Sequence, residues 1–296
     1  MDTGLEDGVT YGIMEPEEAG TVRLRDGRAL GWAAWGPAGG APVLFFSGAA
    51  MGRSLGFGAD VLGRLGVRLV AVERPGLGVS DPAPDRTLLS WPGDVRELVS
   101  GLGLEGGVRV VGFSHGAPFA LACAAAGVVT AAAVVSGLDE LTHPGLPVDP
   151  AVAGLLAAAA DDPEAFEATF ARDGGAEMMW GLVTGTSGER DLAVYTDPAF
   201  EPAYRRSLAE GFAQGAAGYA RDLVLAFRPW PFRVEDIRVP VVLWYGGHDP
   251  GTVHSPDHGA VLARRIPGAR RHLLPEEGGS LLWTRADDVL AALLAA

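Results

Sequence analysis

The chain has 296 residues and a net charge of −14, because 37 acidic residues outnumber 23 basic ones. This balance argues against a nucleic-acid partner, since neutralising phosphates takes clustered lysine and arginine, and equally against attraction to anionic lipid. The single cysteine, Cys123, excludes an internal disulfide and a metal site built from cysteines.

Residues 1–19 are predicted to form a loose acidic segment without the apolar run of a signal peptide. No stretch reaches the roughly 20 consecutive apolar residues of a membrane-spanning helix. We therefore expect a cytoplasmic protein, monomeric or homodimeric, that acts on a small molecule and contacts neither nucleic acid nor membrane. The length suits one large domain or a domain with an inserted module.

Short apolar runs alternate with turns and a helical pattern over the first 102 residues. The turn signal Asp26-Gly27-Arg28 lies between the first two runs and predicts a hairpin. The later β-branched and aromatic runs predict buried strands followed by loops, an order typical of a parallel sheet covered on both faces. The apolar runs lie at residues 21–24, 29–35, 43–46 and 67–72, and the helical pattern at 88–102.

The most informative stretch is residues 108–118. A β-branched run leads into Gly112-x-Ser114-x-Gly116, and an alanine-rich, helix-favouring run follows. In this strand–turn–helix context the motif indicates a nucleophile elbow. Such a tight turn forces the serine into a strained backbone conformation, and the glycines must lack side chains where strand and helix approach. The elbow presents Ser114 at the end of the sheet and directs the His115 N–H at a developing oxyanion.

A strand is predicted at 131–135, and the pattern then changes from residue 137 to about 232. Alanine-rich and acidic helical runs punctuated by prolines replace the strands there, which predicts a helical insertion. The sheet pattern returns afterwards. Helical runs lie at 151–160, 164–172 and 204–227 in the insertion; after it, strands are predicted at 241–245 and 269–274 and helices at 260–266 and 281–294.

Together these motifs resemble the α/β-hydrolase fold family over nearly the whole chain. The resemblance implies an α/β fold with a mostly parallel central sheet, helices on both faces and an inserted helical cap. The implied core is residues 1–138 and 233–296, and the implied cap is residues 139–232. The motifs are the elbow, the loop Arg74-Pro75-Gly76-x-Gly78-x-Ser80, the turn Gly246-Gly247-His248-Asp249, and Ile266-Pro267-Gly268-Ala269 before the last strand.

The family's machinery is a nucleophile, an acid and a histidine in that chain order, with two backbone N–H groups as the oxyanion hole. The resemblance assigns Ser114 as the nucleophile, Asp249 as the acid, and the N–H groups of Ala49 and His115 as the hole. It implies no cofactor, and the histidine spacing predicts no metal site. The expected pocket residues are Ser47, Gly48, His143, Trp180 and Tyr204; many relatives have His-Gly where this chain has Ser47-Gly48.

The histidine is where the chain departs from the family pattern. Relatives carry a loop of the type Pro-x-x-Gly-His after the last strand, whereas residues 275–279 read Pro-Glu-Glu-Gly-Gly. Gly279 therefore stands where the general base is expected, and losing that base costs about 10⁶ in rate in the best-studied serine triad. The sequence predicts an incomplete triad unless another side chain supplies the base. The candidates are His115, His143, His248, His254, His258, His272, Glu276 and Glu277, each of which has a plainer structural or surface role.

Three functions stay open at this point. The first is hydrolysis of a small, largely apolar ester, lactone or related carbonyl compound. The second is a non-hydrolytic cyclase, lyase or isomerase of specialised metabolism, in which Ser114 polarises a carbonyl without covalent attack. The third is a catalytically silent binding protein. The retained Ser114, Asp249 and oxyanion loop favour an enzyme.

Overall fold

The computed structural model describes residues 11–104, 106–251 and 253–296. Residues 1–10 of the predicted acidic segment lie outside this part of the chain. The described residues hold eight strands: β1 Glu18–Arg23, β2 Ala29–Trp35, β3 Ala41–Phe46, β4 Val67–Val72, β5 Arg109–Phe113, β6 Ala131–Val135, β7 Val241–Gly246 and β8 Arg270–Leu274.

These strands form one sheet in the order β1-β2-β4-β3-β5-β6-β7-β8. β1 pairs antiparallel with β2 around the turn at 26–28, as predicted, and β2 pairs antiparallel with β4. All remaining pairs are parallel. Parallel pairing places the loops that follow β3, β5 and β7 at one edge of the sheet.

Twelve helices are described, and none of them is both long and apolar enough to cross a membrane. The helices are α1 Ala59–Leu65, α2 Trp91–Gly101, α3 Ala117–Ala125, α4 Pro150–Asp161, α5 Pro163–Asp173, α6 Ala176–Thr186, α7 Glu189–Tyr195, α8 Glu201–Gly211, α9 Ala217–Phe227, α10 Ala260–Arg265, α11 Leu281–Thr284 and α12 Ala286–Leu294.

Helices cover both faces of the sheet, which confirms the predicted α/β class. Successive residues of a strand point to opposite faces, and β3 shows the consequence. Val43 and Phe45 pack in a core that includes residues of α1 and α12, whereas Leu44 and Phe46 pack in a core that includes α2 and α3. Burial of both faces explains why the strands read as continuous apolar runs rather than alternating ones.

Six helices, α4 to α9, lie between β6 and β7. The run predicted at 204–227 is two helices, because Gly215 adopts a φ of 87° and Gln214 turns back to donate to the Gly78 carbonyl at 2.7 Å. The sequence pattern did not predict α6 and α7, and α6 contains glycine and threonine, which favour helix weakly. The helix predicted at 281–294 is likewise interrupted, at Arg285.

Two of these helices approach the core backbone without an intervening side chain. A Cβ at Gly211, the last residue of α8, would overlap the Ala50 carbonyl, and one at Gly218 in α9 would overlap the Gly76 backbone. Only glycine permits such contact. The helical insertion is therefore seated directly on the loops that follow β3 and β4.

Gly218→Ala is expected to lower the free energy of unfolding by about 1–3 kcal/mol, because its Cβ meets backbone that cannot swing aside. Gly154→Ala in α4 is the matched control, since a Cβ there meets nothing within 4 Å and helix propensity alone adds up to about 1 kcal/mol. Chemical denaturation of both variants measures the difference. Equal changes in the two variants would contradict the close seating of α9.

Candidate active site

Ser114 lies at the tip of the predicted elbow, between β5 and α3. Its φ is 50°, in the left-handed region that non-glycine residues rarely adopt. A Cβ at Gly112 would stand 2.7 Å from the Ala120 Cβ, and one at Gly116 would overlap the Phe46 carbonyl. The two glycines of the motif are thus required because β5, α3 and the end of β3 lie too close for a side chain at either position. The Ser114 residue is half-buried at the edge of the sheet.

Asp249 follows β7 at the same edge. It is 6 % exposed, and its Oδ1 accepts a hydrogen bond from the Gly251 N–H at 3.0 Å. The chain turns sharply here, since Gly251 has a φ of 67°. The carboxylate is therefore held by its own turn and directs Oδ2 toward the elbow.

His254 joins these two residues. Its Nδ1 lies 2.6 Å from Asp249 Oδ2, and its Nε2 lies 3.1 Å from Ser114 Oγ. An ionised carboxylate only accepts hydrogen bonds, so Nδ1 carries the proton and Nε2 is left to accept from the serine hydroxyl. The expectation of a serine without an imidazole partner does not hold in this geometry: the imidazole comes from the loop after β7, five residues beyond Asp249.

Asp249 and His254 each shift the pKa of the other. Burial alone would raise the pKa of Asp249, but the His254 imidazole and the Gly251 N–H lower it below its usual value. Burial alone would lower the pKa of His254, but the Asp249 carboxylate and, further away, Asp191 raise it above its ordinary 6.5. The pair therefore favours a negative carboxylate beside an imidazole that readily takes up a proton.

Ser255, the residue after His254, holds the loop in place through its hydrogen bonds. The Ser255 N–H donates to the Gly137 carbonyl at 3.0 Å. Ser255 Oγ lies 3.0 Å from the buried Asp139 Oδ2 and 3.0 Å from Asp257 Oδ1, so the two carboxylates share its one hydroxyl proton. The Gly259 N–H in turn donates to Ser255 Oγ at 2.8 Å. Ser255 thus fixes the loop to the segment after β6, and His254 is directed at Ser114 by contacts outside the site.

Gly279 faces the Asp249–His254 pair. A Cβ built there would stand 2.9 Å from Asp249 Oδ2 and 2.9 Å from His254 Cε1. The position identified from the family pattern therefore does point into the site, but the space a histidine would fill there is occupied by the imidazole of His254. Gly279 and Ser280 donate their N–H groups to the Asp191 carboxylate at 2.9 and 2.7 Å, which fixes the backbone of this loop to α7.

The other candidate bases lie elsewhere. His115 is buried behind the elbow against Phe119, and burial lowers its pKa to about 4. His248 is exposed, His258 donates from Nε2 to the Asp249 carbonyl at 3.1 Å, and His272 stacks on Trp244 at 4.1 Å. The carboxylates are also engaged away from Ser114, Glu276 with Arg190 and Glu277 with Thr284 and Arg285.

The loop after β3 adjoins the elbow. Ser47 is buried and its Oγ donates to the Met51 carbonyl at 3.1 Å. A Cβ at Gly48 would stand 3.0 Å from Met51 Sδ and 3.4 Å from the Phe113 ring, so the loop lies against the residue before Ser114. Ala50 has a φ of 53°, and the N–H groups of Gly48 and Ala49 donate to no described residue. The role of the Ala49 N–H as an oxyanion donor stays a prediction.

The predicted pocket residues are only partly brought together. Tyr204 belongs to an aromatic cluster that links the helical insertion to the elbow, in which Trp283 lies 4.8 Å from Phe113 and Phe113 lies 6.3 Å from His254. Trp180 packs on Tyr204 at 5.9 Å and is one ring further out. His143 accepts from the Gly145 N–H within its own loop. The aromatic cluster is Phe113, Tyr195, Phe200, Tyr204 and Trp283.

Comparison with known families decides the relationship. The model of the alpha/beta hydrolase fold matches residues 41–286, most of the chain. The chain belongs to the α/β-hydrolase family. No curated protein was found to match it in sequence.

Solved structures of this family share the fold over nearly their whole length. An esterase from Exiguobacterium antarcticum is 16% identical with a TM-score of 0.65, covering 94% of this chain and 98% of its own. An enol-lactonase from Burkholderia xenovorans is 18% identical with a TM-score of 0.67, covering 93% and 98%. A bromoperoxidase from Bacillus anthracis is 20% identical with a TM-score of 0.66, covering 94% and 99%. At these identities the likeness concerns the fold alone.

Among the described residues, no group of three or more histidine, cysteine or acidic side chains is placed to hold a metal ion.

Sequence reasoning about this α/β-hydrolase included His254 only as one candidate among several. The available signal was its place in a glycine- and proline-containing loop, five residues after the acid.

Gly279→Ala is expected to separate His254 from Asp249, because its Cβ overlaps both side chains, and to lower stability by about 1–3 kcal/mol through overpacking. Gly185→Ala in α6 is the control, since a Cβ there meets nothing within 4 Å. NMR of the His254 ring protons reports the separation directly. A His254 spectrum unchanged in Gly279→Ala would contradict the crowded geometry.

Asp249→Asn is expected to lower the pKa of His254, because a neutral amide no longer stabilises the imidazolium while burial still disfavours it. The measurement is an NMR titration of the His254 Cε1–H resonance. Glu276→Gln, an exposed acid paired with Arg190, is the control and leaves the His254 titration in place. The proposed ion pair is wrong if Asp249→Asn leaves the midpoint unmoved.

Proposed function

We propose that this α/β-hydrolase family member hydrolyses a small, largely apolar ester, lactone or related acyl compound. Ser114 is the nucleophile, His254 is the general base and Asp249 orients and stabilises the imidazolium. The single observation that carries the proposal is the continuous contact from Asp249 Oδ2 through His254 to Ser114 Oγ, at 2.6 and 3.1 Å. A nucleophile, a base within hydrogen-bond reach and a group orienting that base are the requirements of nucleophilic catalysis by serine.

The steps follow from these contacts. His254 Nε2 takes the proton of Ser114 as Oγ attacks the carbonyl carbon, and the imidazolium returns it to the leaving oxygen when the ester bond breaks. Water then attacks the acyl-enzyme by the same route, releasing the acid and restoring the serine. The N–H groups of Ala49 and His115 are the proposed donors to the oxyanion in both steps.

The substrate class rests on the surroundings of the serine. The aromatic cluster lies beside His254, and Met51 and Phe113 border the oxyanion loop at Gly48. Such surroundings favour an apolar acyl or alcohol group and offer little to a charged one. An acidic protein surface with a net charge of −14 also disfavours anionic substrates.

The case for the two other functions, a non-hydrolytic reaction and a silent binding site, is a Ser114 without an imidazole partner. With His254 within 3.1 Å of Ser114, neither a non-hydrolytic reaction nor a silent binding site has a specific observation in its favour. The proposed partner remains a small-molecule substrate. A cap of residues 139–232, a cytoplasmic location and a monomer or homodimer stay predictions.

The wild-type protein is expected to hydrolyse short p-nitrophenyl esters and to be labelled at Ser114 by a fluorophosphonate. Ser114→Ala and His254→Ala are each expected to lower kcat by about 10⁴- to 10⁶-fold, because nucleophile and base act as one unit. The wild-type rate is expected to rise with pH through the pKa of His254, above 6.5, because only the neutral imidazole accepts a proton. His248→Ala, which alters an exposed histidine close to Asp249, is the control and retains the rate.

A transplant variant tests which position can supply the base. In His254→Ala/Gly279→His the new side chain enters the space left by the old one, so part of the lost rate is expected to return. Gly279→His alone is expected to be less active than wild type, since its Cβ already overlaps His254. Absence of both labelling and hydrolysis in the wild-type protein would remove the proposal.

A further inference from the structure

A guanidinium is buried directly behind the oxyanion loop. Arg74 follows β4, and its side chain is 0% exposed. Nη1 donates to the Ser47 carbonyl at 2.8 Å and Nη2 to the Gly48 carbonyl at 2.9 Å. Nε donates to Asp222 Oδ2 at 2.6 Å. Each of the three guanidinium nitrogens thereby has a partner, two of them on the loop and one on α9.

The two carbonyls determine where the neighbouring N–H groups point. The Gly48–Ala49 peptide is planar and trans, so its C=O and N–H point in opposite directions. Because Arg74 holds the Gly48 carbonyl, the Ala49 N–H points away from Arg74, and the same holds for the Ser47–Gly48 peptide. Two successive N–H groups on one face, followed by the left-handed Ala50, form a concavity that suits an anion.

The charge behind the loop adds to this geometry. Asp222 also meets Arg86, whose Nη2 lies 2.7 Å from Oδ1 at an angle outside hydrogen-bond geometry. Burial alone would raise the pKa of Asp222, but Arg74 and Arg86 lower it below its usual value. The cluster therefore holds two cations and one anion, which leaves a net positive charge buried beside the oxyanion loop.

We propose that Arg74 is a positioning residue for the oxyanion hole, fixing the Gly48–Ala49 peptide so that its N–H faces the reacting carbonyl oxygen. The role rests on the proposed function. A charge-assisted hydrogen bond to the carbonyl also polarises the amide and makes its N–H a stronger donor. Arg74 touches no substrate atom, and Asp222 on α9 sets the orientation of the guanidinium.

Arg74→Lys is expected to lower kcat for p-nitrophenyl ester hydrolysis by about tenfold to a hundredfold, less than the 10²–10³ that follows loss of an oxyanion donor itself. KM is expected to change little, because negative charge on the carbonyl oxygen builds up only toward the transition state. Lysine keeps the charge but has no planar fork to hold two carbonyls at once. Asp222→Asn retains Arg74 but weakens its orientation, and a smaller fall in kcat is expected.

Arg86→Lys is the matched control. Arg86 pairs with the same Asp222 and binds the Gly218 carbonyl at 2.8 Å, yet it makes no contact with the Ser47–Gly48 carbonyls. We expect kcat within about threefold of wild type, because lysine keeps the buried positive charge and the Ser47 and Gly48 carbonyls keep their donor, Arg74. Equal falls in kcat for Arg74→Lys and Arg86→Lys would show a general structural role and overturn the proposal. If Arg74→Lys does not fold, the comparison of Asp222→Asn with Arg86→Lys decides in the same way.

A second readout is independent of turnover. In protein labelled with ¹⁵N-alanine, the Ala49 amide proton is expected to shift upfield in Arg74→Lys relative to Arg86→Lys, because its peptide has lost the polarising guanidinium. An unmoved Ala49 resonance overturns the proposal even if the enzyme is active. A wild-type protein without esterase activity but with the expected shift removes the proposed function and leaves the orientation of the peptide standing.

Discussion

The hydrogen bond between Asp249 Oδ2 and His254 Nδ1 is the interaction on which the site depends. At 2.6 Å between buried partners, it fixes the ring tautomer and leaves Nε2 to face Ser114. Both partners lie on one short loop after β7, so their separation is set by a local turn around Gly251 rather than by the meeting of distant loops. The hydrogen bond from the Ser255 N–H to the Gly137 carbonyl then fixes that loop to the neighbouring segment after β6.

A second set of contacts holds the loop after β3, which carries the proposed oxyanion donor Ala49. The oxyanion loop is held between Arg74 below it and α8 beside it, where the Gly52 N–H donates to the Ser207 carbonyl at 2.8 Å. Asp222, which orients Arg74, and Ser207 both come from the helical insertion. The helices between β6 and β7 therefore contribute to the geometry of the loop after β3. A buried ion cluster costs desolvation. Here both guanidinium groups also donate to backbone carbonyls, Arg74 to the loop after β3 and Arg86 to the loop after β4 and to α9.

The sequence predicted the features that depend on neighbouring residues. Ser114 could be predicted because strand, glycine spacing and helix are all local, and Asp249 because the family resemblance places the acid in the loop after a buried strand. His254 could not be singled out, since an imidazole reaches the serine only through the path of the loop from Asp249, and no periodic pattern encodes that path. The family pattern drew attention to residue 279 instead. His143 was predicted as a pocket residue from its place at the start of the insertion, and the one described hydrogen bond of its side chain is with Gly145 in its own loop.

A side chain at residue 279 and the imidazole of His254 would occupy the same space beside Asp249. The carboxylate of Asp249 can be approached from two sides, from the loop after β8 and from its own loop after β7. A Cβ at residue 279 would stand 2.9 Å from both the carboxylate and the imidazole, so the site has room for one ring and not for two. A histidine on the β7 loop therefore requires the smallest residue on the β8 loop, and a glycine there leaves a buried carboxylate that needs another partner. Gly279 and His254 thus satisfy one packing and charge constraint together, so the absence of a histidine at residue 279 is compatible with an imidazole beside Ser114.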